Sequence, residues 1–539
     1  MSHTAFDREF DVVIVGGGSA GCILAARISD MAAIDVGLIE AGPRDTNPWI
    51  HIPLGFGRLV PDPKMNWGYE TEPEPELNGR RIMWPRGKVL GGSGSINGLV
   101  FLRGAPSDYD TWAEQGARGW SYREVLPYFK RSEHNLAGHD QWRGEGGPIT
   151  VSDIKDPSVP SRAFVEACAA LQNPRNPDFN GERIDGVGFV QLNVRNGWRD
   201  STATAYLKPV EARANLDVIT KARVRRILIE GRRAVGVEIE RAGRVERMRA
   251  RREVIVAAGA VASPQLLLAS GIGPAKELAA AGVGVLHDLP GVGKNLQDHL
   301  FIRMSFRTNV PGTLNEITMS PWKSARMALQ WLYRSSGQLA VGAVEATMFA
   351  RSAPSEPIPD LQFQCVNFSI DSYKFGLHPW PGFMFNFCVC RPKSRGEIRL
   401  ADPEGRSAPR IHANYLTDPD DWRRMMGGYR IARRIIETEP FAGIVTEQVR
   451  PGPDCISEDD FKSYIRDNAS TVYHPCGSCR MGAADDAMAV VDPELRVRGI
   501  DALRVIDASV MPTMPSSNIH PATIMVAEKG ADLVKGALV

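Results

Sequence analysis

The stretch Val472-Tyr-His-Pro-Cys-Gly-Ser-Cys-Arg-Met-Gly482 sets His474 two residues ahead of Cys476 and Cys479. A histidine beside a C-x-x-C suits three chemistries: a metal site, a redox dithiol or a proton-accepting base. Zinc needs further ligands at matching spacing. None follows, since Cys388-Val-Cys390 has the wrong gap and the next histidine is His520. A redox dithiol places its first cysteine at a helix N-terminus, whereas Arg480-Met-Gly482 runs into the turn-forming Ala-Ala-Asp-Asp. The cysteine spacing therefore reads as coincidence and no metal is expected. What remains are two imidazoles, His474 and His520, of a type that titrates near neutrality and can move a proton.

A second constellation opens the chain. Asp11-Val-Val-Ile-Val15 is an apolar, β-branched run suited to a strand buried on both faces of a parallel sheet. It leads into Gly16-Gly-Gly-Ser-Ala-Gly21, then a helical stretch from Cys22 to Ser29, then a strand Val36-Gly-Leu-Ile ending in Glu40, 19 positions after Gly21. This is the dinucleotide fingerprint: the glycines let backbone approach a pyrophosphate at a helix N-terminus and the acid takes a ribose hydroxyl. It does not separate FAD from NAD. Further on, Gly87-Lys-Val-Leu-Gly-Gly-Ser-Gly-Ser-Ile-Asn97 is backbone able to lie flat against a planar or phosphorylated ligand.

This glycine-serine loop, with Gly98 to Asp110 behind it, resembles the first signature of the glucose-methanol-choline (GMC) flavoprotein oxidoreductases, and Gly259-Ala-Val-Ala-Ser-Pro-Gln-Leu-Leu-Leu-Ala-Ser-Gly-Ile-Gly273 resembles the second. The likeness extends over nearly the whole chain, through Asn66-Trp-Gly-Tyr69, Ser201 to Leu207, Gly291-Val-Gly-Lys-Asn-Leu-Gln-Asp-His299, the His474 stretch and Val505-Ile-Asp-Ala-Ser-Val-Met-Pro512. The resemblance implies FAD as cofactor. It assigns to FAD the residues Gly16, Gly18, Ser19, Ala20, Gly21, Glu40, Ala41, Trp67, Gly91, Gly92, Ser93, Asn97, Gly98, Val100, Val224, Ala258, Asp507, Ala508, His520 and Pro521. Where some members carry a flavin-linked histidine this chain has Ile96, which has no nucleophile, so the FAD is expected to be noncovalent.

The resemblance also makes His474 the catalytic base and His520 its partner at the substrate oxygen, with Asn518 the alternative because Ile-His-Pro-Ala-Thr shifts a proline by one place. The implied reaction is oxidation of an alcohol, primary by preference, to an aldehyde or ketone, with O2, a quinone or another carrier as acceptor. The rival readings are a hydroxynitrile lyase-like flavoprotein and a noncatalytic one.

The elements needed to position these groups define an α/β chain, α+β overall. A Rossmann-type FAD-binding domain is expected from residues 1–155, 201–300 and 471–539, and a substrate domain, an antiparallel sheet flanked by helices, from 156–200 and 301–470. Within the latter, Pro381-Gly-Phe-Met-Phe-Asn-Phe-Cys-Val389 reads as a strand, and a helix from Ser320 to Tyr333 is expected to send Trp322, Met327, Leu329 and Trp331 into core. A length of 539 residues fits such a multidomain plan. With 64 Lys+Arg against 63 Asp+Glu, the net charge of +1 provides no field for nucleic acid or an anionic membrane. Val254 to Ala275 lacks charge but is broken by Pro264, Pro274 and glycines, so it reads as a strand and a short helix and no integral membrane segment is expected. Eight scattered cysteines and an acidic N-terminal run without an apolar signal region make a cytoplasmic protein the expectation.

Overall fold

A computed structural model describes residues 6–371 and 376–539. Two seven-stranded sheets organise it. In the first, Arg8–Val15 lies between Val36–Ile39 and Arg244–Val256, all parallel, with Leu216–Ile219 outside Val36–Ile39 and Leu503–Val505 parallel to Val254–Val256. Val12 to Val15 are buried, as expected for a strand covered on both faces. One face is covered by Ser19–Ile28, which packs on the closing helix His520–Leu538. The charged segment after Ala222 forms an antiparallel meander, Ala222–Glu230, Arg233–Arg241 and Arg244–Val256, whose last strand returns into the parallel part. The uncharged run at Val254 is the end of that strand followed by the helix Gly259–Ala269, and no helix among the described residues is long and apolar enough to cross a membrane.

The second sheet is antiparallel, in the order Glu447–Arg450, Leu300–Arg307, Gly382–Val389, Leu361–Val366, Ala346–Ala350 and Gly186–Phe189, with Ser470–Thr471 pairing Leu300 and Phe301. Alternation along Gly382–Val389 separates two environments. Phe383, Phe385 and Phe387 enter a core with Phe306, Phe363 and Phe441, while Met384 and Asn386 face the large cavity between the sheets. All eight residues of this strand are buried, because the cavity face is covered as well.

The expected helix forms as Pro321–Arg334, but two of its four apolar candidates are not core. Trp322 is 86% exposed and Leu329 53%. Trp331 is buried against Trp198, and Met327 is partly buried. The helix rests on one narrow stripe, so residues off that stripe face solvent whatever their hydropathy.

Candidate functional site

A single continuous cavity of about 360 Å³ runs between the sheets. Its nucleotide end is built by the turn after the first strand. Gly18 caps the helix Ser19–Ile28 without a side-chain hydrogen bond, which leaves backbone N–H groups facing the cavity. Gly92, at φ +56°, comes so close that an added Cβ would stand 2.7 Å from Gly18 Cα, so the glycine-serine loop is folded onto the fingerprint turn. Glu40 accepts from Gly17 N at 2.8 Å and Gly42 N at 2.7 Å, and burial pushes its carboxyl up to about 7. Asp507 accepts from Gly259 N (2.8 Å), Ser263 Oγ (2.5 Å) and Ser509 N (2.7 Å), and burial raises it as well.

Of the expected contact residues, Gly16, Gly18, Ser19, Ala20, Glu40, Ala41, Trp67, Gly92, Ser93, Asn97, Gly98, Val100, Val224, Ala258, Asp507, Ala508 and both histidines line this cavity. Gly21, Gly91 and Pro521 are not among its lining residues. Gly21 serves packing instead: a Cβ there would meet Gly16 O at 1.8 Å. Gly91 takes the φ of +86° that turns the loop, and Pro521 occupies the first turn of the closing helix, where a missing N–H costs no hydrogen bond.

At the other end, Thr471 pairs with Leu300 and Val472 N donates to His299 O (3.1 Å), which brings His474 opposite His299. Asp298 fixes this turn: it accepts from His474 N at 2.7 Å and from the hydroxyls of Thr471 and Tyr415, the latter also accepting from Trp84 Nε1 at 3.0 Å. Burial raises Asp298 to about 6 and lowers His299 to about 4. Burial also holds His474 well below the ordinary imidazole value, with His299 and Arg86 adding to the effect. Both rings are therefore neutral at neutral pH.

Neutrality fixes their tautomers. His299 Nε2 lies 2.8 Å from the Cys390 carbonyl, which can only accept, so Nε2 carries the proton and Nδ1 is an acceptor. His474 Nδ1, 3.0 Å away, is then the donor, and His474 Nε2 is left with a lone pair. Asn518 Nδ2 approaches that nitrogen at 3.2 Å. An imidazole held in this way can accept a proton from a hydroxyl in the cavity.

Within the protein the His474 ring meets His299 on one side and, on the other, Asn518, the alternative named for the second position. His520 begins the closing helix, lines the cavity beside Gly94, and neither of its ring nitrogens has a hydrogen-bond partner among the described residues; burial lowers it to about 4. Arg199 was also missed. It is buried and donates to Ile50 O, Gly94 O, Asn97 Oδ1 and Asn97 O at 2.7–3.2 Å, bracing the loop from behind. His299 stood in a quoted motif, but only the strand register reveals which histidine it meets. Cys476 and Cys479 are buried free thiols, both raised by burial, and no group of metal-ligating side chains occurs among the described residues.

These features fit FAD. Backbone amides and a helix start meet a pyrophosphate, an acid lies where a ribose hydroxyl would be bound, and cavity-lining polar atoms lack partners at His520, Asn518 Oδ1, Asn386 Oδ1 and Gln364 Nε2. A dinucleotide fold joined to an antiparallel sheet over a histidine-bearing cavity fits a flavoprotein oxidoreductase. GMC oxidoreductase family patterns match residues 10–301 and 392–527, and the chain belongs to that family, whose members are FAD-dependent enzymes acting on CH–OH groups. It catalyses FAD-dependent oxidation of an alcohol.

Among its relatives, the chain is 42% identical over 528 residues to an oxygen-dependent choline dehydrogenase of Rhizobium etli and 40% identical to one of Brucella anthropi, in each case over 98% of this chain and 96% of the relative. Similar solved structures include pyridoxine 4-oxidase from Mesorbium loti, with 34% identity, a TM-score of 0.88 and coverage of 98% of this chain and 99% of that one. Formate oxidase of Aspergillus oryzae shows 26% identity, a TM-score of 0.91 and 99% coverage of both chains.

Proposed function

We propose that His474 Nε2 takes the hydroxyl proton of a primary alcohol, that His520 hydrogen-bonds the same oxygen, and that the FAD is held without a covalent bond. The observation that supports this most is the neutral His474 ring, whose Nδ1 proton is committed to His299 and whose Nε2 lone pair is met by the Asn518 amide, which an entering hydroxyl would displace. When bound, the flavin supplies the hydride acceptor. The residues do the rest: removal of the proton makes the carbinol hydrogen a better leaving hydride, and two fixed nitrogens orient the alcohol so that this hydrogen has one direction to go. Neither ring nitrogen of His520 has a hydrogen-bond partner among the described residues, which supports this use of it.

In this reading Glu40 takes a ribose hydroxyl, the start of the helix Ser19–Ile28 takes the pyrophosphate, and Gly92 to Asn97, braced by Arg199, support the ring system. Ile96 lines the cavity where a linking histidine would stand, which is the basis for noncovalent binding. The division into an FAD domain (1–155, 201–300, 471–539) and a substrate domain (156–200, 301–470) belongs to the same proposal, supported by the sheet each strand joins. The names of the oxygen-dependent and oxidase relatives favour O2 as acceptor. Anaerobic mixing of the yellow protein with primary alcohols, followed by air, tests the reading: bleaching and then recovery are expected. A flavin that no alcohol bleaches would return the lyase-like alternative.

A further inference from the structure

The cavity wall supplied by the second sheet carries a polar row that proton removal does not use. Arg303 stands opposite Asn386, and Asn386 opposite Gln364, across three adjacent antiparallel strands, so the three side chains leave the same face. All three line the cavity. One step along the same face, the residues that line the cavity are apolar, Met384 and Val366 on one side and Phe301 on the other, while Ser305 and Gln362 lie outside its lining.

The row is unsatisfied. Asn386 and Gln364 are buried, at 6% and 2% exposure, yet Asn386 Oδ1, Gln364 Nε2 and Arg303 Nε have no hydrogen-bond partner among the described residues. Buried polar groups are normally paired, so this row is arranged for something that enters the cavity.

Charge narrows what that is. The Arg303 guanidinium lies over the Phe301 ring at 5.2 Å, bonds to the backbone carbonyls of Ile370 and Asp371, and makes no ion pair among the described residues. The carboxylates that line the cavity, Glu40 and Asp507, are in the nucleotide end and are engaged by backbone amides. The lining of the second-sheet end therefore offers a cation and two carboxamides and, among the described residues, no carboxylate; Asp371, next to Arg303, pairs with Arg450 at 2.7 Å and with His378 at 3.3 Å.

We infer that the alcohol oxidised here carries a carboxylate, which lies against the Arg303 guanidinium and the Gln364 carboxamide while its hydroxymethyl group reaches His474. This rests on the proposed function and adds the substrate class. Asn386 Oδ1 is left to accept from a donor on the same molecule. A quaternary ammonium alcohol such as choline would bring a second cation against an unneutralised guanidinium, so the substrate class differs from that in the names of the choline dehydrogenase relatives.

The test uses holoenzyme and three alcohols of similar shape: 4-(hydroxymethyl)benzoate, 4-(hydroxymethyl)benzamide and 4-(hydroxymethyl)phenyltrimethylammonium. Half-saturation of anaerobic flavin reduction is read for each. In parallel, the flavin absorbance is titrated with 4-methylbenzoate and 4-methylbenzamide, which lack the reacting hydroxyl. The anion should bind about ten- to a hundredfold more tightly than the amide in both readouts, the range of a charge-assisted hydrogen bond. Arg303→Gln should remove most of that ratio and Arg303→Lys should keep part of it. Should Arg303→Gln not retain flavin, Gln364→Leu carries the same comparison.

Equal or weaker binding of the anion, or a ratio that survives Arg303→Gln, overturns the inference. If no alcohol reduces the flavin but 4-methylbenzoate still binds preferentially, the oxidation reading of the site fails and the anion subsite stands.

Discussion

Removing His299 should slow flavin reduction far less than removing His474, and the gap between them tests the tautomer argument. His474 is read as the base itself; its replacement by Ala should cost about 10²- to 10⁴-fold in the anaerobic reduction rate, the usual worth of general base catalysis. His299 is a positioning residue, contributing one neutral hydrogen bond of 3.0 Å that keeps the proton on His474 Nδ1. Such a bond is worth about 0.5–1.5 kcal/mol net, which corresponds to a factor of about 2 to 13.

His299→Leu should show that loss, whereas His299→Gln should restore most of the rate. A glutamine can accept from His474 Nδ1 with its carbonyl and donate to the Cys390 carbonyl with its amide, reproducing both bonds. A purely structural defect would not be repaired in this way. Stopped-flow reduction of variants with equal flavin content is the assay. Wild-type rates in His299→Leu would refute the tautomer argument, and wild-type rates in His474→Ala would remove the base.

The remaining predictions concern pH, cofactor and fold. His474 is depressed in the folded protein, so its base form persists as pH falls through 6.5; reduction should be flat across neutrality and decline only below that value, in a stopped-flow pH series. Glu40→Ala removes the acceptor for Gly17 N and Gly42 N together with the acid expected at the ribose; FAD should bind at least about tenfold more weakly on reconstituting the apoprotein. Gly92→Ala forces a Cβ to 2.7 Å from Gly18 Cα at positive φ and should destabilise by about 2–4 kcal/mol, from left-handed strain and overpacking together, with loss of flavin on purification. Acid precipitation should leave the yellow colour in the supernatant, since Ile96 offers no atom for a covalent link; colour in the pellet would contradict this.

What was legible in the sequence was local. Strand, glycines, helix, strand and acid between Asp11 and Glu40 are set by short-range rules, and the cavity collects Gly16, Gly18 and Glu40 where that spacing puts them. The partner of His474 was not local. The separations from His474 to His299 and to Asn518 are 175 and 44 residues, and what brings these groups together is the pairing of Thr471 with Leu300 and the turn ahead of the closing helix. Counting along a motif reached His520 and placed it in the cavity, but could not tell a residue that touches His474 from one left free to touch a ligand.

The polar row shows the same limit more sharply. Read singly, Arg303, Gln364 and Asn386 are unremarked polar residues in apolar strands, and each strand pattern predicts only which face it uses. Register turns them into neighbours, and burial without partners turns neighbours into a binding surface. The same argument explains why family membership predicts the reaction better than the substrate. The proposed base and the nucleotide turn sit on short contiguous motifs, whereas the side chains that would meet the far end of the alcohol are spread over strands that share a face only after folding. Exchanging one of them leaves the strand and its pairing intact, so the scaffold can retain hydride chemistry at His474 while the sign of the charge at Arg303 selects which alcohol reaches it.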